Sequence, residues 1–273
     1  MAVRPPTPMT TPPEKTLLSQ QPHRSLVSRT WGCLFLAGLV VFSGCQSHPV
    51  SPPDKQVAEL KAKLNALSQD WPNLSRYRAD NVLLGRPAAS ESLVVFMGDS
   101  ITDAWPRNTS FFSDNHYVGR GISGQTTPQM LARFREDVIS LEPKVVVILA
   151  GTNDIAGNTG PYNPEQTKGC LASMVELAQA HNIRVILSSV LPAFDYPWRP
   201  GLAPAEKIVA LNTWIKAYAA QNHCVYLDYF GALAADNKGM KAEYSGDGVH
   251  PNPKGYSVME PLAAKAISLA RSE

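Results

Sequence analysis

From about residue 90 onward, short apolar runs alternate with stretches of helical periodicity, and this alternation constrains the fold more than any other feature of the chain. The runs are rich in β-forming residues, which predicts buried strands at Leu93–Met97, Tyr117-Val118, Val145–Ala150, Val185–Leu191 and Val225–Tyr229. Helices are predicted near 128–140, 164–182, 205–221 and 256–271. Repeated strand-helix-strand units build a parallel sheet. The pattern predicts an α/β fold, a three-layer α/β/α sandwich around a mostly parallel, five-stranded sheet.

Chemically capable residues follow these runs. The segments after the first three runs and one late segment carry them: Gly98-Asp99-Ser100-Ile101, Gly121-Ile122-Ser123-Gly124, Gly151-Thr152-Asn153-Asp154 and Asp247-Gly248-Val249-His250. In an open parallel sheet, ligands bind beyond the carboxyl ends of the strands. We therefore expect these segments to meet at one edge of the sheet.

The residue types in these segments suit nucleophilic catalysis. A serine such as Ser100 needs a base, a group that orients the base, and donors for a developing oxyanion. A carboxylate three residues before a histidine, as in Asp247 and His250, can lie beside the imidazole. Glycine lets a backbone N–H approach closely, and an asparagine amide donates without carrying a charge.

Each residue also has a purely structural interpretation. Ser100 could cap a helix that begins at Ile101, and Asn153 with Asp154 could cap another. The glycines of 121–124 could form only a turn, and His250 could be a surface histidine beside a proline turn. The joint occurrence of nucleophile, donors, orienting carboxylate and base favours the catalytic interpretation.

These four segments, in this order, resemble the blocks of the SGNH (GDSL-type) esterase and lipase superfamily, and the resemblance covers about residues 90–272. It implies a flavodoxin-like sandwich with Ser100 as the nucleophile, His250 as the base and Asp247 as its orienting partner. It also implies an oxyanion hole made by the backbone N–H groups of Ser100 and Gly124 and the side-chain amide of Asn153. No cofactor is expected for this chemistry.

Other chemistries find weaker support. Gly119–Gly124 matches a dinucleotide-binding glycine pattern, but the acidic candidate Glu142 comes before the next strand instead of at its end. No zinc-type spacing of cysteines or histidines occurs, so a metal is not implied. A Gly-x-Ser-x-Gly elbow is also missing, which weighs against the α/β-hydrolase fold.

The first 44 residues resemble a bacterial lipoprotein signal peptide. Arg24 and Arg29 precede an apolar stretch at 31–42, and the segment Phe42-Ser43-Gly44-Cys45 follows. The stretch is shorter than the roughly 20 residues that a membrane-spanning helix needs. We expect cleavage before Cys45, lipidation of Cys45 and attachment to the outer membrane on its periplasmic side; an uncleaved N-terminal anchor is the alternative.

Cleavage would divide the chain into a signal peptide at 1–44, a tether with an amphipathic helix at 45–88, and a hydrolase domain at 89–273. It would leave 21 basic and 22 acidic residues, a formal net charge of −1 in place of +2, which argues against a nucleic-acid partner. Val57, Leu60, Leu64 and Leu67 form one helical stripe, which we expect to pack on the domain. Pairing of Cys170 with Cys224 and the oligomeric state stay open.

Substrate specificity is expected in the loops at 103–114, 157–163 and 193–202. Asp99, Arg120 and Trp198 are candidate substrate-binding residues, Trp198 because an exposed indole can stack on a sugar. We expect hydrolysis of short-chain (acetyl) esters on a carbohydrate or similar polar carrier. The alternatives are lysophospholipase, arylesterase or thioesterase activity on longer acyl chains and, from another class, a non-catalytic glycan-binding surface lipoprotein.

Overall fold

Five short parallel strands form the centre of the molecule. A computed structural model describes residues 53–85 and 92–272. The strands are β1 (Val94–Gly98), β2 (Val118–Gly121), β3 (Val145–Leu149), β4 (Arg184–Ser188) and β5 (Val225–Leu227). All pairings are parallel, and the strand order is β2-β1-β3-β4-β5. The predicted α/β fold class and five-stranded parallel sheet are confirmed.

Helices connect and cover the strands. They are α1 (Pro53–Gln69), α2 (Arg78–Leu84), α3 (Ser100–Asn108), α4 (Phe111–Asn115), α5 (Thr127–Asp137), α6 (Thr152–Ile155), α7 (Pro164–Ala180), α8 (Pro204–Gln221), α9 (Tyr229–Leu233) and α10 (Pro253–Ser272). Two 3₁₀ turns lie at Ile139–Leu141 and Ala242–Tyr244. The four helices that the sequence predicts after residue 90 correspond to α5, α7, α8 and α10.

The sheet separates two apolar cores, because alternate side chains of each strand point to opposite faces. Val95 and Met97 of β1 pack with buried residues of α5, α7 and α8. Val94 and Phe96 of the same strand pack with buried residues of α3, α4 and α10. The strands are buried on both faces, so they read as continuous apolar runs in the sequence.

The order of the strands determines where a site can form. From β1 the chain crosses to β2 on one side and later returns to β3 on the other side of β1. The connections beyond the carboxyl ends of β1 and β3 therefore diverge and leave a crevice, which is the position where open α/β sheets bind ligands. Ser100 follows β1, and Asn153 follows β3 by a few residues.

One expectation about the N-terminal part of the domain is wrong. Val57, Leu60 and Leu64 of α1 are 48%, 65% and 69% exposed, so these three side chains do not pack on the domain, and the side chain of Leu67 lies outside the described part of the structure. The proposed signal segment and Cys45 lie outside the described residues. Within 53–85 and 92–272, no helix is long and apolar enough to cross a membrane. Cys170 and Cys224 are not joined by a disulfide.

Candidate active site

Ser100 is the first residue of α3, directly beyond the carboxyl end of β1. The preceding residue, Asp99, caps the helix, since its Oδ1 accepts a hydrogen bond of 3.0 Å from the backbone N–H of Ile101. The Ser100 hydroxyl is therefore not the cap, which removes its structural interpretation. Ser100 Oγ lies 2.9 Å from His250 Nε2.

His250 is held by Asp247 through both its side chain and its backbone. The distance from His250 Nδ1 to Asp247 Oδ2 is 2.7 Å. Asp247 Oδ1 accepts the backbone N–H groups of Val249 at 2.9 Å and His250 at 2.8 Å. Partial burial raises the pKa of Asp247, but the hydrogen bonds from His250 and Val249 outweigh it and lower the pKa to about 2. Asp247 is thus an anion at neutral pH, in contact with the ring nitrogen that faces away from Ser100.

Ser245, which the sequence analysis did not single out, tightens this loop. Its Oγ lies 3.1 Å from Asp247 Oδ1 and 2.8 Å from the carbonyl oxygen of His250, and it accepts the N–H of Gly248 at 2.9 Å. A serine next to a glycine gives no sequence signal beyond a turn. The structure shows that this hydroxyl fixes the Asp247–His250 turn from inside.

Gly124 and Asn153 lie on the other side of the crevice and are linked by Asn158. The Asn153 Nδ2 amide donates to the carbonyl oxygen of Gln125 at 3.0 Å and to Asp99 Oδ2 at 3.3 Å. The Asn158 Nδ2 amide donates to Asn153 Oδ1 at 2.8 Å and to the carbonyl oxygen of Gly124 at 3.0 Å. One side chain therefore connects two of the expected oxyanion donors. Sequence reasoning missed Asn158 because its segment reads as a loop.

Two glycines let the strand ends and α3 pack closely. A Cβ on Gly98 would lie 2.1 Å from Thr102 Oγ1, and a Cβ on Gly121 would lie 2.1 Å from the backbone nitrogen of Asp103. Gly121 is the last residue of β2 and not part of a free turn. Its missing side chain lets the first turn of α3 approach β2, which sets the position of Ser100.

Arg133 of α5 braces the same region from within the protein. Its guanidinium donates to Gln125 Oε1 at 2.6 Å, to the carbonyl oxygen of Gly98 at 3.0 Å and to Asp137 Oδ2 at 3.0 Å. The side chains of Arg133 and Asp137 are 0% and 1% exposed. Through these three hydrogen bonds, the buried guanidinium fixes the end of β1 relative to the loop that follows β2.

Two of the three predicted substrate-binding residues are wrong. Asp99 is 1% exposed and is occupied by the helix cap and by Asn153. Burial raises the pKa of Asp99 to about 6, against the opposing effect of the Ile101 N–H and the nearby His250. Arg120 is 5% exposed, donates to Asn81 Oδ1 and to a backbone carbonyl, and lies over the Tyr77 ring. Both side chains are therefore held inside the protein by these contacts.

Trp198, the third, is placed where it can meet a ligand. It is 42% exposed, stacks on the Tyr196 ring at 5.0 Å, and its ring centroid lies 5.9 Å from that of His250. The buried Tyr196 holds the indole from one side. The partly exposed indole therefore borders the histidine.

The glycine pattern at 119–124 has no dinucleotide-binding geometry. Gly119 and Gly121 lie inside β2 and not in a turn that opens a helix, so they do not form the phosphate-binding turn of that motif. In the described part of the chain, no three His, Cys, Asp or Glu side chains are grouped to hold a metal ion.

Comparisons with known proteins lead to the same kind of enzyme as the arrangement of Ser100, His250 and Asp247. The sequence profile of the GDSL-like Lipase/Acylhydrolase family matches residues 96–258. The chain belongs to this family. It is therefore a carboxylic ester hydrolase, and the hypothesis of a non-catalytic glycan-binding protein is not supported.

Individual relatives agree with this assignment. The hydrolase is 32% identical over 184 residues to Esterase TesA of Pseudomonas aeruginosa, which covers 62% of this chain and 84% of TesA. It is 32% identical over 123 residues to Thioesterase 1/protease 1/lysophospholipase L1 of Escherichia coli, covering 41% and 58% of the two chains. A crystal structure of a GDSL-like lipase from Bacteroides thetaiotaomicron is 50% identical, with a TM-score of 0.71, and covers 73% of this chain and 98% of that one.

Proposed function

We propose that Ser100, His250 and Asp247 form the catalytic triad of this hydrolase. The observation that carries the proposal is the continuous chain of contacts from Ser100 Oγ to His250 Nε2 at 2.9 Å and from His250 Nδ1 to Asp247 Oδ2 at 2.7 Å. His250 removes the proton from Ser100 as its oxygen attacks the ester carbonyl carbon. The anionic Asp247 stabilises the resulting imidazolium and holds the ring in the required orientation.

The oxyanion of the tetrahedral intermediate is stabilised by the backbone N–H groups of Ser100 and Gly124 and by the Asn153 amide. Of the two contacts that the Asn153 amide makes, the one to Asp99 Oδ2 is the longer, at 3.3 Å against 3.0 Å. The amide hydrogen that points to Asp99 is the one that can bind the oxyanion, because the second amide hydrogen is held by the carbonyl oxygen of Gln125. Loss of one such donor typically costs about 3 kcal/mol of transition-state stabilisation.

The reaction passes through an acyl-enzyme. Collapse of the first intermediate breaks the ester bond, and His250 gives its proton to the departing alkoxide. Water then attacks the acyl-serine, His250 takes a proton from that water, and the second intermediate releases the carboxylic acid and regenerates Ser100. All proton transfers use one imidazole, so no cofactor is needed for this sequence of steps.

We propose short-chain (acetyl) esters on a carbohydrate or similar polar alcohol as substrates. His250 protonates the leaving alkoxide, so the alcohol must lie beside it, and Trp198 borders that position. Next to Gly124, the polar side chains of Gln125, Asn158 and Thr159 can hydrogen-bond to the hydroxyl groups of such an alcohol. Both observations favour a polar alcohol.

Hydrolysis of p-nitrophenyl esters with acyl chains of two to sixteen carbons tests this proposal. All members share one leaving group, so the series isolates the acyl side. We expect kcat/KM to be highest for the acetyl ester and to fall steadily with chain length. A maximum at eight carbons or more would favour the second candidate, thioesterase or lysophospholipase activity, for which the name of the Escherichia coli relative is the supporting observation.

We also propose that the enzyme is a lipoprotein anchored through Cys45, with its hydrolase domain in the periplasm. The support is the sequence pattern of the leader, with Arg24 and Arg29, an apolar stretch and Cys45. Metabolic labelling with radioactive palmitate in a Gram-negative host should label the wild type but not a Cys45→Ala variant. Labelling of both proteins, or of neither, would contradict the proposed anchor.

A further inference from the structure

A large cavity borders the oxyanion side of the site and is built partly by residues that precede the family-matched region 96–258. Its volume is about 850 Å³, within the range of ligand-binding pockets. Most of the residues that line it have polar side chains, and Trp71 contributes a large, partly exposed apolar surface. The lining residues are Gln69, Asp70, Trp71, Asn73, Ser75, Ile122, Ser123, Gly124, Gln125, Gln129, Asn158 and Thr159.

Two buried side chains form hydrogen bonds to the backbone at Trp71 and Pro72. Gln129 Nε2 donates to the carbonyl oxygen of Trp71 at 2.9 Å, and Gln125 Nε2 donates to that of Pro72 at 2.7 Å. Gln129 and Gln125 are 8% and 3% exposed. Gln125 is in turn held by the buried Arg133. The strand-end framework of the active site therefore also sets the position of Trp71.

The turn that carries Trp71 is stabilised on its other side as well. The Asp70 carboxylate accepts the backbone N–H groups of Leu74 at 2.7 Å and Ser75 at 2.9 Å. The Tyr77 hydroxyl donates to the carbonyl oxygen of Gly121. Despite this fixed backbone, the Trp71 side chain is 40% exposed. An indole normally buries most of its area, so a fixed but partly exposed one is preorganised to contact a ligand.

We propose that this cavity is a saccharide subsite and that Trp71 is the surface on which a sugar ring of the substrate stacks. The inference rests on the proposed acetylesterase function. An acetyl group adds only one methyl to the reacting carbonyl, so the alcohol part of the ester is the part large enough to fill the cavity. A sugar presents apolar C–H faces to an aromatic ring and hydroxyl groups to polar walls, which matches Trp71 and the surrounding amide and hydroxyl side chains.

The test compares two acetyl esters that differ only in their alcohol. Wild-type, Trp71→Ala, Trp71→Phe and Leu83→Ala enzymes are assayed with p-nitrophenyl acetate and with partially O-acetylated xylooligosaccharides, by release of p-nitrophenol and of acetate. Leu83 is the matched control, because it is a large apolar residue of the same N-terminal region, is 85% exposed and does not line the cavity. Thermal unfolding of each variant checks that it folds.

Trp71→Ala should raise KM for the oligosaccharide about tenfold while kcat changes little, since stacking binds ground state and transition state alike. Its kcat/KM for p-nitrophenyl acetate should stay within about threefold of the wild type. Trp71→Phe should recover most of the loss, because a phenyl ring keeps an apolar face. Leu83→Ala should match the wild type on both substrates.

An unchanged KM for the oligosaccharide in Trp71→Ala, or an equal loss on both esters, would overturn the subsite. A different result would contradict the proposed function. If the wild type cleaves p-nitrophenyl acetate but releases no acetate from the oligosaccharide, the carbohydrate assignment fails, and the subsite fails with it. A normal wild-type reaction with an unaffected Trp71→Ala variant would overturn the subsite alone.

Discussion

Replacement of Asn158 by alanine should slow the chemical step without weakening substrate binding. Asn158 donates to Asn153 Oδ1 at 2.8 Å and to the Gly124 carbonyl oxygen at 3.0 Å, so it links the two proposed oxyanion donors, which come from different loops. Direct loss of one donor typically lowers kcat by about 10²–10³-fold. In the proposed site Asn158 is one residue away from the oxyanion, and we take as a guide the groups that orient metal ligands, whose loss typically costs about 10–100-fold in activity.

We therefore expect Asn158→Ala to lower kcat for p-nitrophenyl acetate by about 10–100-fold and to change KM less than threefold, since the oxyanion forms only in the transition state. Asn158→Asp has the same shape but no N–H to donate, so it should lose a similar amount. Asn222→Ala is the control, because Asn222 Nδ2 also donates to a carbonyl oxygen, that of Tyr218 at 2.9 Å, at the end of α8.

Steady-state kinetics and thermal unfolding of the three variants decide the matter. A kcat of Asn158→Ala within threefold of the wild type would refute the reasoning. So would full activity in Asn158→Asp, because donation from Asn158 would then not matter. A loss of kcat that Asn222→Ala reproduces would show a general effect of removing an asparagine and not a positioning role.

Three further outcomes are expected. Ser100→Ala should lose several orders of magnitude in kcat while its unfolding midpoint stays near that of the wild type; residual ester hydrolysis at the wild-type rate would exclude Ser100 as nucleophile. The pKa of Asp247 is about 2 in the folded protein and 3.8 ordinarily, so its stabilising effect is present above about pH 4 and is lost as the pH falls to 2. The unfolding temperature of Asp247→Asn should therefore fall less than that of the wild type between about pH 4 and pH 2. Equal falls in unfolding temperature for the two proteins would contradict the ion pair with His250. Arg133→Leu should lower the free energy of unfolding by about 3–5 kcal/mol, because it leaves the Asp137 carboxylate buried without its cation. Chemical denaturation measures this loss, and the double variant with Asp137→Leu should recover part of it.

Much of the fold follows from the sequence, because a strand buried on both faces must be apolar along its whole length. The predicted run at Val145–Ala150 is one residue longer than β3, and the run at Leu93–Met97 is shifted by one residue from β1. The second strand was the least visible, because Gly119 and Gly121 interrupt its apolar pattern. Its glycines are required by the close contact with α3, which depends on the tertiary structure.

The convergence of Ser100 with His250 could also be predicted, Ser100 from its place beyond a strand end and His250 from the resemblance of Asp247-Gly248-Val249-His250 to the family's late block. The supporting residues could not. Asn158 and Arg133 form hydrogen bonds to other segments of the chain, Ser245 forms them within its own turn, and no local pattern distinguishes the three from ordinary turn or helix residues. The predicted substrate-binding roles of Asp99 and Arg120 were wrong for the same reason. The sequence around a charged residue does not show whether its side chain faces the ligand or the protein interior.

The neighbouring positions of β1 and β3 in the sheet have a consequence for how this enzyme can change. Backbone pairing, such as that of Gly98 with Leu149, sets the offset between Ser100 and Asn153, and adjacent strands have a nearly fixed spacing of about 4.8 Å. The segments that carry Trp71 and Trp198 lie outside this pair of strands. Evolution or engineering can therefore exchange the loops to recognise other alcohols while the reacting atoms keep their distances.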